Sequence, residues 1–271
     1  MISVTPVFKA QWDEFIITSP QYSIFSTTRW CELFDDTYEA YGCFKGDEMV
    51  GGIIGFRKDT FISGGYPITP FQGVAVKKCD KYTTQMSLQC EVSKALIEHL
   101  KRGQIVNHYS FTDIRPFLWA GWTPLVKYSY ILTMDELAGN RMEKDTRNLV
   151  RKHLGAFERG NIEKFYELYT ETFHRKEMEV PVSKEWMLKF YDEFNPHVFT
   201  TDESGVVILD DVNISYYLFG ASTSPNKSFS LMWDAFNHCG KIDMTGANVP
   251  EISHYKRGFG GELRCYLGAE L

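Results

Sequence analysis

The chain is poor in cysteine patterning. Its six cysteines, Cys31, Cys43, Cys79, Cys90, Cys239 and Cys265, form no CxxC pair and no His/Cys spacing. That argues against a zinc centre or a dithiol redox site and leaves the thiols to be read as reduced and mostly buried. No run of about 18 apolar residues occurs, so no membrane span is expected. The opening MISVTPVFKAQWDEF lacks a basic segment followed by an apolar stretch, so a signal peptide is not expected and the location is expected to be cytoplasmic. Positive charge is also scarce, with 29 Lys and Arg against 35 Asp and Glu and a net charge of −6. A broad DNA-binding surface is thereby excluded, although a local basic patch stays open. No Ser-His-Asp or Cys-His spacing is legible, and no metal is called for.

What is present is ample core material. Of 271 residues, 44% are hydrophobic and 15% aromatic, with 24% charged, the balance of a folded protein long enough for two lobes. Helical periodicity is read over about 7–18, over 27–38 after the capping residues Ser26-Thr27-Thr28, and over Thr84–Arg102, where Leu88, Val92, Leu96 and Leu100 share a face. Tyr41–Phe44 and Met49–Phe56 flank the turn residues Lys45-Gly46-Asp47-Glu48 and predict a hairpin, with a third strand near Phe61. Strands are predicted over Val106–Thr112 and Val126–Leu132, around an aromatic loop that holds Arg115, Trp119 and Trp122. From Asn140 to about Glu193 the pattern is helical, in three pieces parted by Gly155, Gly160 and Glu179-Val180-Pro181. A second meander is read at Val198–Thr201, Val206–Asp210 and Ile214–Ala221, followed by the loop Ser222–Ser228 and a helix near 228–238. The order of elements repeats between the halves. It predicts a mixed α/β protein of two lobes, 1–134 and 135–271, with the donor site in the second.

Candidate site residues follow from local chemistry. A loop that leads into a helix offers backbone N–H groups to a phosphate or an oxyanion, which marks Ser222, Asn226 and Lys227 as cofactor-binding candidates; an ordinary polar connection is the alternative. Tyr216 and Tyr217 point to opposite faces of one strand, so at most one faces a cleft. Arg115, next to Pro116, can take a carboxylate or phosphate in bidentate fashion or pair with Asp113. Trp119 can stack on a substrate or pack in an interface. Lys144, Arg147, Arg151 and Lys152 put positive charge on one helical face, suited to an RNA phosphate or simply solvated.

The C-terminal stretch reads Asp243-Met-Thr-Gly246, then Pro250, then Tyr255-Lys256-Arg257-Gly258-Phe259-Gly260. It resembles the end of the Fem family of peptidyltransferases, tandem-GNAT proteins in which an Asp-Phe-x-Gly strand precedes a Phe-Lys-x-Gly-Phe-Gly motif. The order of Trp30, Pro70 with Gly73, Asp113-x-Arg115-Pro116, Tyr216-Tyr217, Trp233 and Asp243-x-x-Gly246 extends the likeness over nearly the whole chain.

The resemblance implies two GNAT-like (acyl-CoA N-acyltransferase) lobes and transfer of an acyl or aminoacyl group from acyl-CoA or aminoacyl-tRNA to an amine, on a cell-wall precursor or a small molecule. No tightly bound cofactor is implied. By the resemblance Lys256 would stabilise negative charge as a catalytic residue, a surface lysine in a glycine-rich turn being the alternative; Asp243 can act as base or orient the amine, or be a structural carboxylate at a strand end; and Tyr217, Trp233, Tyr255, Arg115, Trp119 and Arg151 are the substrate-binding candidates. An acyl-CoA-dependent N-acetyltransferase and a non-catalytic binding relative are the alternatives. One departure stands out: Trp30 is followed by Cys31-Glu32 where the peptidoglycan enzymes carry a basic residue.

Overall fold

A computed structural model describes residues 1–65, 68–152, 157–224 and 227–271. Pro67, Gly155 and Asn226 therefore lie outside the described residues. The chain divides into two compact units, one of residues 1–127 with 265–271 and one of residues 128–264. The sequence put the division at 134/135 and left the whole C-terminus in the second lobe. The difference has a topological reason: the first unit completes its sheet with the C-terminal Gly268–Glu270, paired to Gln104–Val106, while 128–134 pair within the second unit.

In the first unit, β1 (Ser3–Pro6), α1 (Lys9–Ile16) and the one-turn α2 (Thr28–Cys31) lead into β2 (Tyr38–Lys45) and β3 (Glu48–Arg57), which form the expected hairpin around Gly46. The helix read over 27–38 stops at Cys31. Trp30 and Phe34 pack with ring centroids 6.0 Å apart, Phe34 standing past the helix end. Next come β4 (Phe61–Ser63), β5 (Val74–Val76), which pairs with β3, and α3 (Tyr82–Leu100), which buries Leu88, Val92, Leu96 and Leu100.

The following strand is β6 (Gly103–Val106), not Val106–Thr112. Asn107 ends it by turning its side chain to Val74 N (2.8 Å) and Leu267 O (2.9 Å). β6 runs parallel to β4 on one side and antiparallel to Gly268–Glu270 on the other. Within the loop read over 113–122 lies a short helix, α4 (Arg115–Trp119), with Pro116 in its first turn. β7 (Thr123–Thr133) then carries the chain onward.

The second unit has α5 (Ala138–Arg141), α6 (Lys144–Lys152), the two-residue β8 (Glu158–Arg159), α7 (Ile162–His174) and α8 (Lys184–Phe194). The helical stretch read over 140–193 is thus four helices and a short strand. The meander follows as β9 (His197–Thr200), β10 (Ser204–Asp210) and β11 (Ser215–Ser222), then α9 (Phe229–Phe236), β12 (Lys241–Asp243), α10 (Pro250–Arg257) and β13 (Glu262–Glu270). β12 is parallel to β11 and antiparallel to Ile131–Thr133 of β7. Phe199, Val206, Ile208, Met232, Phe236, Ile242 and Phe259 form the core between this sheet and α9.

All six cysteines are free. Cys31, Cys43 and Cys239 are buried, Cys79 and Cys90 partly so, and Cys265 is exposed. Among the described residues no helix is long and apolar enough to cross a membrane, and no three His, Cys, Asp or Glu side chains gather as metal ligands would.

Candidate active site

The second unit opens where its two parallel strands part. β12 matches β11 only at Ser215–Ile242 and Tyr216–Asp243, so beyond Tyr216 the edge of β11 meets no strand on that side among the described residues. On its other side, β11 pairs with β10 in two registers, Ile208 with Tyr217 and Val207 with Phe219. Leu218 is the extra residue of this β-bulge and has no register partner in either ladder. A bulge of this kind frees backbone groups and re-aims side chains.

A cavity of about 450 Å³ occupies this opening, within the usual range for small-molecule sites. Tyr217, Leu218 and Ala221 of β11 line it, with Phe229 of α9, and Ile252, Tyr255 and Lys256 of α10. Arg175 and Lys176, just past the end of α7, and Glu251 in the first turn of α10 bring charge to its lining.

α10 forms because Pro250 starts it, Glu251 suits its N-terminal turn, and His254, Lys256 and Arg257 suit its C-terminal turn. It presents Tyr255 and Lys256 inward. Tyr255 Oη bonds Ser228 Oγ at 2.7 Å and donates to Met232 Sδ, tying α10 to the start of α9. Lys256 is 7% exposed and donates to three successive carbonyls, those of Met244 (2.6 Å), Thr245 and Gly246 (3.1 Å). An ammonium has three donors, and here all three are engaged. The carbonyls converge because Thr245 and Gly246 take left-handed backbone angles, φ +44° and +40°. Burial pushes the Lys256 ammonium down to about 8, against the pull of Asp243.

The same turn reaches the bulge. Thr245 Oγ1 donates to Tyr217 O at 2.7 Å, and Thr245 N donates to Asp243 Oδ1 at 2.7 Å. Asp243 also accepts from Ser129 Oγ; it is 0% exposed and does not line the cavity. Burial raises its carboxyl to about 6, opposed by Ser129, Thr245 and Lys256. Lys256 Nζ lies 5.2 Å from the centre of the Tyr217 ring. The Tyr217 hydroxyl has no hydrogen-bond partner among the described residues. It fits over Gly220, where an added Cβ would stand 1.9 Å from Oη. Burial raises the Tyr217 pKa, which keeps the phenol protonated and able to donate.

Of the residues proposed from sequence, Lys256, Tyr217, Tyr255 and Ser222 line this cavity. Ser222 Oγ is spent on Ser224 O at 2.6 Å. Trp233 packs on the core from α9, Arg151 is exposed on α6, and Asn226 lies outside the described residues. Lys227 pairs with Glu203 at 3.0 Å and lines a separate depression. The basic face of α6 is reduced by Arg147, which donates to Asn140 O and Met142 O. Arg115 and Trp119 belong to the first unit. Arg115 makes two bonds to Asp113, 2.8 and 2.7 Å, while Trp119 is 65% exposed, with Lys94 and Arg115 against its ring. Leu218, Thr245, Ser129, Arg175, Lys176 and Glu251 were not singled out from sequence, because a bulge and a backbone-bonding turn leave no residue pattern.

No family model matches the sequence, and no curated protein is significantly similar to it. Solved structures are. FemX aligns with a TM-score of 0.64 at 13% identity, over 98% of this chain and 96% of its own. The two chains share a fold. The C-terminal domain of a protein described as a lysylphosphatidylglycerol synthetase from Agrobacterium fabrum aligns at 0.60 and 10% identity, over 97% and 92%. A GNAT-family acetyltransferase from Colwellia psychrerythraea aligns at 0.53 and 9% identity, over 99% of each chain. The architecture is thus the Fem-like tandem of GNAT folds expected from the sequence.

Proposed function

We propose that the protein transfers an aminoacyl group from an activated ester to an amine, with the donor carbonyl held at the opening of β11. The observation that carries this reading is the β-bulge at Leu218 beside the unpartnered hydroxyl of Tyr217 in one cavity. A backbone N–H released by a bulge and a protonated phenol on the same cavity can serve a carbonyl oxygen as it gains charge. The amine nitrogen bonds to the carbonyl carbon, and the oxyanion forms against Leu218 N–H and Tyr217 Oη–H. Collapse then breaks the ester bond and releases an alkoxide, which takes up the proton that the attacking nitrogen sheds on becoming an amide. Proteins of this fold include those described as acetyltransferases and as a lysylphosphatidylglycerol synthetase, which supports acyl transfer as the class of reaction.

Lys256 and Asp243 have a supporting part in this reading. Their bonds are spent on the 243–246 turn, which holds Tyr217 O through Thr245.

An aminoacyl ester is favoured over a CoA thioester by the segment before α9. Diphosphates are usually received by glycine-rich turns that let the backbone approach closely. Ser222-Thr-Ser-Pro-Asn-Lys-Ser228 contains no glycine. Arg175 is turned to Thr223 O and Lys227 to Glu203, so neither awaits a diphosphate. The acidic net charge of −6 favours the second reading, an acyl-CoA-dependent N-acetyltransferase, because a polynucleotide donor is repelled by it.

The test is a thermal-shift comparison of CoA with a CCA trinucleotide carrying an amide-linked amino acid, followed by deacylation of the ester-linked trinucleotide in the presence of a mixed panel of amines. Stabilisation by the aminoacyl probe is expected, with amine-dependent release that falls about 100-fold in Tyr217→Phe. Stabilisation by CoA alone would establish the second reading instead.

A further inference from the structure

An amine attacks as the free base, so an acceptor that arrives as an ammonium ion must lose a proton to some group in the site. The ionisable side chains on the cavity are Arg175, Lys176, Tyr217, Glu251, Tyr255 and Lys256. Arg175 and Lys176 repel an ammonium, Lys256 directs its nitrogen to three backbone carbonyls, and both phenols are held protonated by burial. Asp243 is sealed behind the turn it organises, with Ser129 and Thr245 bonded to its Oδ1.

Glu251 is the remaining carboxylate, the one acid among the described residues of the lining. Its side chain is solvent-exposed and has no hydrogen bond or ion pair among the described residues. It stands in the first turn of α10, one turn before Tyr255, on the helix that supplies the cavity wall. Beside it in sequence, Val249 and Ile252 are 49% and 40% exposed, and Ile252 lines the same cavity. A free carboxylate flanked by uncovered apolar side chains suits an organic cation rather than a hydrated metal ion.

We infer that Glu251 binds the ammonium group of the acceptor at the cavity and takes its proton as the amine attacks. The inference rests on the acyl-transfer reading above. In the step, one N–H proton moves from the ammonium to a Glu251 oxygen, the freed nitrogen lone pair forms the C–N bond, and the carbonyl π pair moves to oxygen. That pair then re-forms the carbonyl as the C–O bond to the donor alcohol breaks. The leaving alkoxide takes the second proton, shed by the attacking nitrogen as it becomes the neutral amide, and Glu251 returns its own proton to solvent, so product and alcohol leave with the carboxylate restored. Glu251 is thereby a catalytic residue of the acceptor side, separate from the carbonyl-facing pair on β11.

The probe is hexylammonium chloride, with 1-hexanol as its neutral counterpart, titrated into the full chain and followed by amide resonances of Leu218, Glu251 and Ile252. Hexylammonium is expected to shift these signals saturably, at least tenfold more tightly than hexanol. Glu251→Gln should weaken hexylammonium about tenfold while leaving hexanol and thermal stability unchanged. Lys176→Gln should not weaken it. Equal binding of hexylammonium by Glu251→Gln and the parent chain, or equal binding of amine and alcohol by the parent, would overturn the assignment. No donor is present in this titration. A failed donor assay with intact amine binding therefore rejects transfer alone, and a failed amine titration beside donor binding rejects the role of Glu251 alone.

Discussion

The two units repeat one plan and differ at one place. In each, a meander ends in a strand that pairs in parallel with the strand after the next helix, β4 with β6 and β11 with β12. In the first unit the chain itself fills the space where these strands part. Gln72 N donates to Val106 O at 3.0 Å, Gly73 N to Ser63 Oγ at 2.9 Å and Gly64 N to Gln72 Oε1 at 3.1 Å. Trp30 Nε1 bonds Thr69 Oγ1 at 2.9 Å, and Phe71 is fully buried, stacked on Tyr266 with centroids 4.7 Å apart. In the second unit the corresponding space is the cavity over Tyr217 and Leu218. One plan thus serves stability in one unit and leaves room for a ligand in the other.

The comparison breaks most severely when the first unit loses its borrowed strand. Deleting 265–271 removes the pairing of Gly268–Glu270 with Gln104–Val106, the Tyr266 stack and the Leu267 carbonyl that Asn107 holds. A loss on the order of 5 kcal/mol is expected, enough to unfold a domain of ordinary stability. Hydrogen exchange should show the first unit unprotected while β9–β11 stay protected.

Lys256→Met comes next. It leaves three carbonyls of the 244–246 turn without their donor, and about 3 kcal/mol of destabilisation is expected in urea unfolding. No change, or a gain, would show that the turn holds without the lysine.

The filled and open clefts should also answer differently to a methyl group. At Gly73, φ +74°, an added Cβ would stand 2.5 Å from Asn107 Cα, so Gly73→Ala should cost about 3 kcal/mol. At Gly246, φ +40°, nothing lies within 4 Å, and Gly246→Ala should cost only the backbone term, about 1 kcal/mol. Equal costs in thermal unfolding would contradict a packed first cleft.

The buried pair gives the second unit a pH signature. Asp243 is raised to about 6 from an ordinary 3.8, so the folded state holds its proton longer than the unfolded chain. Its stability contribution is complete below about pH 4 and is lost as pH rises through 6, by up to roughly 3 kcal/mol. Lys256 is lowered to about 8 from 10.5, so stability rises again between those values as the folded state sheds its proton first. Denaturant midpoints across this range should fall, level off between 6 and 8, and recover. Asp243→Asn should remove the fall between 4 and 6.

Much of the frame was legible because local chemistry agreed with the fold. Gly46 between two apolar runs gave the β2–β3 hairpin, and the spacing of Leu88, Val92 and Leu96 gave α3. Tandem lobes followed from element order and the Tyr255–Gly260 motif. The end of β6 was misplaced because Tyr109 and Phe111 supply strand-favouring aromatics beyond Val106, while the strand stops where Asn107 turns its side chain to backbone partners. Lys256 gives no sign of burial, since its partners are carbonyls that every residue carries. The parting of β11 from β12 is set by where a pairing stops, and the filling of the first cleft by a loop that crosses it; neither has a residue signature. Arg115 and Asp113, two positions apart, satisfy each other in space as the sequence allowed.

The most direct test is hydrogen exchange by mass spectrometry on the full chain, with and without the amide-linked aminoacyl CCA trinucleotide. Added protection is expected at 217–222 and 250–257 in the second unit, with none at 68–76 in the first. Protection at 68–76, or no protection at 217–222 under saturating probe, would contradict an open donor site in the second unit beside a filled cleft in the first.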